Sequence, residues 1–383
     1  MALSCHRLGK INSGVFMKKS VVVAAIITAT SGAAYAESSV TMYGLVDGGV
    51  GYTQFKSDDA KSSRFGAWDG GQSSSRWGLR GTEDLGDGLK AIFTLEGGYS
   101  LTNGTQSQSG RLFGREAVVG LRSASLGEVT LGRQGNIAYR WLAGVVTPFG
   151  NNYNQSRAAG TFSPAEVRYD NQVQYLSPSF SGFQVGVGYS FNADGDQRFK
   201  QDGGQDPNTR ALTTGLRYTN GPLKAVLTYD QSKDAETATG VKAKSWNLAG
   251  SYDFEVLEVN LGFGITDDGW FGTPSQLRNS EMGFGSIRAF NDGFRAYSYG
   301  VGMSVKAGSG GKVLAGWGMV DPRDGGTGYA GRDLKSQHIF SLAYTYKLSA
   351  RTNLYAQGAY GRNIAFVSGN KTQSIGVGLR HSF

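Results

Sequence analysis

The sequence predicts an all-β protein: a closed, membrane-crossing barrel of sixteen antiparallel strands. Three observations predict it. First, apolar and polar residues alternate over runs of about 8–12 residues, the period of strands with two unlike faces. Second, short and long connections between these runs strictly alternate, the plan of barrels with tight turns at one end and long loops at the other. Third, the apolar face carries Tyr and Phe toward strand ends, at Tyr218, Tyr252, Phe254, Tyr297, Tyr344, Tyr346 and Tyr360. Membrane interfaces favour such rings with a polar handle. The opposite face is Ser, Thr, Gln, Asn, Gly and charge, which needs water rather than a packed core. Backbone N–H groups in lipid must all be paired, so the sheet closes on itself. A β-sandwich fits less well, since its strands average about 5–6 residues and its two ends carry similar loops.

The N-terminal region is read apart from the barrel. Residues 17–36, MKKSVVVAAIITATSGAAYA, have the charged, apolar and small-x-small parts of a cleaved secretory signal. The apolar run is about half of the roughly 20 residues a spanning helix needs. Met17 is the natural start, which makes residues 1–16 an upstream extension. Cleavage leaves residues 37–383 as the barrel and removes Cys5, the one cysteine, so disulfide scaffolds and thiolate metal sites are excluded. It also removes four of the 38 basic residues and none of the 30 acids, leaving too small a positive excess for nucleic-acid binding. The 59 glycines and the 39 Phe plus Tyr (20 and 19) fit an exported β-protein.

The strands follow in order. Residues 40–52 put Val40, Met42, Val46 and Val50 on one face and Thr41, Tyr43 and Asp47 on the other. A polar loop over 55–74 leads to the hairpin 75–96. There Trp77 and Leu79 alternate with Arg76 and Arg80, and Ala91, Phe93 and Leu95 with Lys90, Thr94 and Glu96. Its turn, 83–88, has Asp/Gly chemistry. Strands over 112–122 and 128–134 come next. Residues 135–165 form a long irregular segment whose Trp141, Val145, Val146, Pro148, Phe149 and Phe162 are too apolar for a solvated loop. Strand 168–175 precedes a regular series over 183–192, 212–218, 223–229, 245–254 and 259–265. After the long loop 267–293, strands over 297–305, 313–320, 340–348, 354–360 and 375–383 complete the sixteen.

At this point the motifs SRWGLRGTEDLGDGLKAIFTLE, FGREAVVGLR with LGRQ, and RYDNQVQYLSPSFSGF resemble the general trimeric porins of Gram-negative outer membranes. The likeness is strongest to the branch with anion-preferring channels. The first strand, SSVTMYGLVDGGV, and the end, GVGLRHSF, match too, so the resemblance covers residues 37–383. It implies an outer-membrane homotrimer that passes small hydrophilic solutes and inorganic anions by diffusion, without a cofactor. It also implies that the barrel-assembly machinery recognises the last strand, with Phe383 at its end and Gly378 five residues earlier; His381 departs mildly from the pattern.

The resemblance further implies that residues 134–167 fold into the barrel and narrow it, facing arginines carried over onto Arg76, Arg115 and Arg168. The alternation alone puts Arg76 on the lumen side. Glu96 and Asp170 share that side and are expected to orient the arginines, with Asp47, Tyr43 and Arg80 elsewhere in the lumen. The inward loop carries Arg140 and Arg157 but a single acid, Glu166. That departs from loops that present several carboxylates and argues for anion preference. A substrate-specific anion or organic-acid channel is the alternative reading. Catalysis is not expected: His338 begins one strand and His381 ends another at the opposite barrel end, so they share no site. The run KAGSGGKV at 306–313 lacks the first glycine and the Ser/Thr of a phosphate loop. The Asp-rich pieces at 194–196 and 267–269 are too short to hold calcium.

Overall fold

The computed structural model describes residues 38–272, 277–279, 282 and 287–383. The expected extension (1–16) and signal segment (17–36) lie outside the described residues. The strands are β1 Ser39–Lys56, β2 Lys61–Asp69, β3 Arg76–Gly86, β4 Leu89–Gly98, β5 Glu116–Ser123, β6 Gly127–Gly135, β7 Arg168–Leu176, β8 Phe183–Ser190 and β9 Arg210–Asn220. They continue as β10 Leu223–Lys233, β11 Lys242–Asp253, β12 Leu257–Asp267, β13 Phe294–Ala307, β14 Gly311–Gly325, β15 Gln337–Lys347, β16 Thr352–Arg362 and β17 Lys371–Ser382.

From β3 onward each strand pairs with the next, and β17 closes onto β1 from Leu45↔Ser382 to Lys56↔Lys371. The closed sheet leaves no edge to aggregate. The first half of β1 pairs with β3 (Leu45↔Arg76) and its outer half with β2 (Gly48↔Asp69). Thus β2 and β3 share one position, and the barrel has the expected sixteen. Among the described residues no helix is long and apolar enough to cross a membrane.

Three expected boundaries change. The stretch 55–74, expected as loop, contains β2. Its sequence KSSRFGAWD hides a strand because Arg64 and Trp68 fall on the inner parity while Lys61 and Phe65 fall on the outer one. Charge and apolarity therefore do not alternate. The strand expected from 112 starts at Glu116. β14 extends to Gly325 past a bulge opposite Arg295/Ala296, into residues expected as loop. The outer face has no core behind it: Val40, Met42, Phe65, Leu342 and Ile375 are 58–75% exposed, as lipid-facing side chains are when the surrounding lipid is absent.

The core lies inside the barrel. Residues 135–167 turn inward, and the helical stretch Ala138–Leu142 runs into Ala143–Val146. Ile137, Trp141, Leu142, Val146 and Phe162 pack with Val226 and Ala249 of the wall. Each such buried side chain contributes about 1.5–3 kcal/mol. The wall makes room with glycine. A Cβ on Gly262 would collide with Val146, and one on Gly302 with Pro148. Hydrogen bonds fasten the loop's carbonyls: Asn260 Nδ2 donates to Val145 O (3.0 Å), Ser298 Oγ to Thr161 O (2.6 Å) and Gln337 Nε2 to Gly160 O (2.9 Å).

A second inward feature separates β2 from β3. Gly70, at φ 62°, turns residues 70–75 into the lumen. Asp47 accepts from Ser73 N and from the Tyr355 hydroxyl, both at 2.7 Å. Gln72 O accepts Tyr153 N from the inward loop (2.6 Å), and Gln357 Nε2 of β16 donates to Gly71 O (2.6 Å). Asp47 was expected in the open lumen. It points inward but is fully covered, and its role is to anchor this segment. A Cβ on Gly378 would strike the Tyr355 hydroxyl, so glycine there has a packing reason of its own. Asp47→Ala leaves buried donors without an acceptor and is expected to cost about 1–3 kcal/mol. A lower temperature for the heat-induced loss of compact electrophoretic mobility would register it; an unchanged temperature would count against the anchor.

Candidate functional site at the barrel waist

The wall contributes Arg76 at the start of β3, Arg115 just before β5, Arg168 at the start of β7 and Glu96 on β4. Glu96 accepts from Arg115 Nε (2.6 Å) and from the Tyr43 hydroxyl (3.0 Å), and lies 3.8 Å from Arg76 Nε. The structure thus joins Glu96 to two of the expected arginines, with Arg115 the tighter partner. Arg168 behaves differently. It donates to the Tyr139 hydroxyl (2.8 Å), and its guanidinium sits 4.7 Å from that ring's centroid. Among the described residues no carboxylate lies within ion-pair distance of Arg168. Arg80 stands over the Tyr43 ring at 5.2 Å.

Asp170 corrects an expectation. It pairs with Arg133 (2.6 Å) and Arg111 (2.9 Å) and accepts from Gly195 N (2.7 Å). It therefore ties the wall to outer loops instead of orienting Arg168. The two arginines it holds were missed: Arg111 precedes the strand period, and Arg133 sits where the register of β6 against β7 shifts between Gly132 and Gln134.

On the loop side, Arg157 pairs with Glu166 (2.5 Å) and donates to Ser74 Oγ (3.1 Å). Arg140 pairs with Glu116 (3.1 Å) and donates to Gln134 Oε1 (3.0 Å). The single acid expected in the loop is thus neutralised by the loop's own arginine. Pro148 and Phe149 are wedges against the wall, not pore lining: Phe149 is 2% exposed and meets Tyr153 edge-on at 5.5 Å. Burial pushes the Tyr153 phenol up to about 12, so it stays a neutral hydroxyl.

Four arginines, Arg115, Arg157, Arg168 and Arg278, line a cavity of about 460 Å³ together with Asp69, Glu166 and several serines. Arg278 and Tyr139 were also missed. Arg278 sits in a long outer loop with no strand parity to aim it, and Tyr139 carried no signal beyond its apolar surroundings. Guanidinium groups keep their charge at any working pH. Set in a narrow aqueous section with low-dielectric walls, they focus a positive potential.

The chain matches the Gram-negative porin family model over residues 22–365. It is 46% identical to an outer membrane porin protein of Bordetella pertussis, over 96% of this chain and all of that one. It is 33% identical to outer membrane porin protein 32 of Delftia acidovorans, again over 96% of this chain and all of the other. The solved anion-selective porin from Comamonas acidovorans superposes with a TM-score of 0.69 at 29% identity, covering 91% of this chain and all of that one. A closed sixteen-position barrel, an inward loop and these relatives lead to one conclusion: this chain belongs to the Gram-negative porins and forms an outer-membrane channel for passive diffusion of small hydrophilic solutes.

Proposed function

We propose that the channel prefers anions and discriminates among solutes chiefly by size and charge. One observation carries this reading: Arg168 faces the cavity at the waist with no carboxylate partner among the described residues, while the loop's Glu166 is already paired with Arg157. Arg76 adds charge that Glu96 only partly offsets at 3.8 Å. Rings of arginine favour anions, and the Comamonas relative is described as anion-selective. A reversal potential measured across a bilayer in a KCl gradient is expected to have the sign of chloride preference. Clear cation preference would overturn the proposal.

The substrate-specific alternative is favoured by one contact, the Arg168–Tyr139 stack beside the cavity, which suits planar organic anions. Saturable uptake of one organic acid in liposome swelling would support it; size-graded uptake supports the general pore. We read the chain as having no catalytic chemistry: His338 Nδ1 faces Trp317 Nε1 (3.3 Å) and His381 Nδ1 faces Thr352 Oγ1 (2.9 Å), each in a local contact. A homotrimer fits the aliphatic outer face of Val40, Met42, Val119, Leu121 and Leu131, and three equal conductance steps are its signature. Phe383, closing on Gly44 through two backbone hydrogen bonds, is the proposed assembly signal together with Gly378.

A further inference from the structure

The first helical turn of the inward loop is held between two arginines of the wall. Tyr139 and Trp141 are two positions apart on Ala138–Leu142, so their side chains leave the turn on opposite sides. Arg168 of β7, which lines the cavity, stacks on Tyr139 at 4.7 Å. Arg217 of β9 stacks on Trp141, its guanidinium 4.9 Å from the ring centroid. Arg217 lies on the inner parity directly opposite Gln184 of β8, whose Oε1 accepts from Arg217 Nε (2.7 Å). Gln184 Nε2 in turn donates to Ser177 O (2.6 Å), at the short turn between β7 and β8. The guanidinium is thus fixed twice, at its edge by the Gln184 amide and on its face by the indole.

The wall beneath is shaped for this contact. Trp141 is 4% exposed, and a Cβ on Gly186 would come within 2.8 Å of its indole. Ile137 uses the neighbouring gap at Gly215 in the same way. The start of the loop is fastened separately: Ile137 N donates to Thr213 Oγ1 (2.9 Å), and Asn136 Nδ2 to Asp230 Oδ1 (2.8 Å). Those bonds keep the loop inside the barrel but do not fix how its helical turn is rotated. Among the described residues no carboxylate lies within ion-pair distance of Arg217, so the charge is spent on the indole and on Gln184. A guanidinium over an indole is the strongest pairing of this kind, more so when desolvated.

We propose that Arg217 is a positioning residue for anion selectivity: through Trp141 it sets the rotation of the helical turn, and with it the place of Tyr139 against Arg168. The inference rests on the role proposed above for Arg168. Arg217 is not part of the cavity lining, so its influence on the ion path runs through the turn. Lysine cannot stand in for it, because an ammonium has neither a plane to lay on the indole nor a fixed fork to meet Gln184.

The test uses the full channel in planar bilayers, with reversal potentials read in a KCl gradient. Arg217→Gln and Arg217→Lys are each expected to lower the chloride-over-potassium ratio about two- to threefold. Unitary conductance and heat stability should stay near wild type, because the root of the loop keeps its own bonds. In an Arg168→Gln background, Arg217→Gln is expected to change the ratio no further. An additional fall there would make Arg217 an independent charge in the lumen and overturn the proposal, as would a wild-type ratio in Arg217→Lys. Gln184→Met leaves every charge in place and is expected to give a smaller loss in the same direction; it carries the test if Arg217→Gln does not fold. A crystal structure of Arg217→Gln separates this inference from the one beneath it. A Tyr139 ring still stacked on Arg168 overturns the positioning role whatever the selectivity. A displaced ring supports it, and if Arg168→Gln then keeps the wild-type ratio, the reading of Arg168 has failed and the placement has not.

Discussion

Arg168→Gln is expected to cut the chloride-over-potassium permeability ratio several-fold while leaving barrel stability almost untouched. At an effective dielectric of about 20, a unit charge about 10 Å from an ion's path acts on it with about 1–2 kcal/mol. That energy corresponds to a factor of roughly 5–30. The structural loss is a stacked guanidinium and one hydrogen bond to Tyr139. Arg115→Gln is expected to do something else. Arg115 is 7% exposed and holds Glu96 at 2.6 Å. Removing one partner of a buried pair costs about 3–5 kcal/mol, and the freed carboxylate draws cations toward the waist. The double variant Arg115→Gln/Glu96→Gln should recover most of the stability while remaining weakly selective. Reversal potentials with parallel thermal unfolding separate these outcomes. If Arg168→Gln keeps the wild-type ratio, the unpaired arginine does not set selectivity.

Widening the channel by releasing its inward loop is the second large effect. Phe162 is fully buried between the loop and the glycines of β12 and β13. Phe162→Ala should remove about 3–5 kcal/mol of docking energy. The converse change, Gly262→Leu, places a side chain where Val146 sits and should expel the same loop from the wall side. Both are expected to raise unitary conductance and weaken charge discrimination together, since the narrow section is what focuses the field. Single-channel recording decides the matter. Wild-type conductance in both variants would mean that the loop does not limit flow.

Much of this was legible because lipid and water write opposite demands on alternate residues. Val40, Met42 and Ile375 on one parity, with Arg76 and Glu96 on the other, mark the faces of the barrel without any knowledge of contacts. Strand β2 was illegible for the same reason: residues 70–75 invade the lumen beside it, so Trp68 packs inward and the parity rule fails. The carboxylate partners were harder still. Whether Asp170 serves Arg168 or Arg133 depends on where loop residues such as Gly195 and Arg111 fold back, and loops have no period to read. Asp47 shows the same limit, since facing inward and facing water are different things once a segment covers the wall.

The bonds that hold residues 70–75 also say something about timing. The segment is gripped by Asn353 and Gln357, and its anchor Asp47 by Tyr355; all three lie nearly three hundred residues further along the chain, on the penultimate strand. Tyr355 makes its bond to Asp47 across the seam where the last strand meets the first. Before that seam is sewn, neither the segment nor the Tyr153 contact that leans on it has its full set of partners. A half-built cylinder would therefore leak without discrimination, and the sieve becomes complete only as the two ends of the chain are joined.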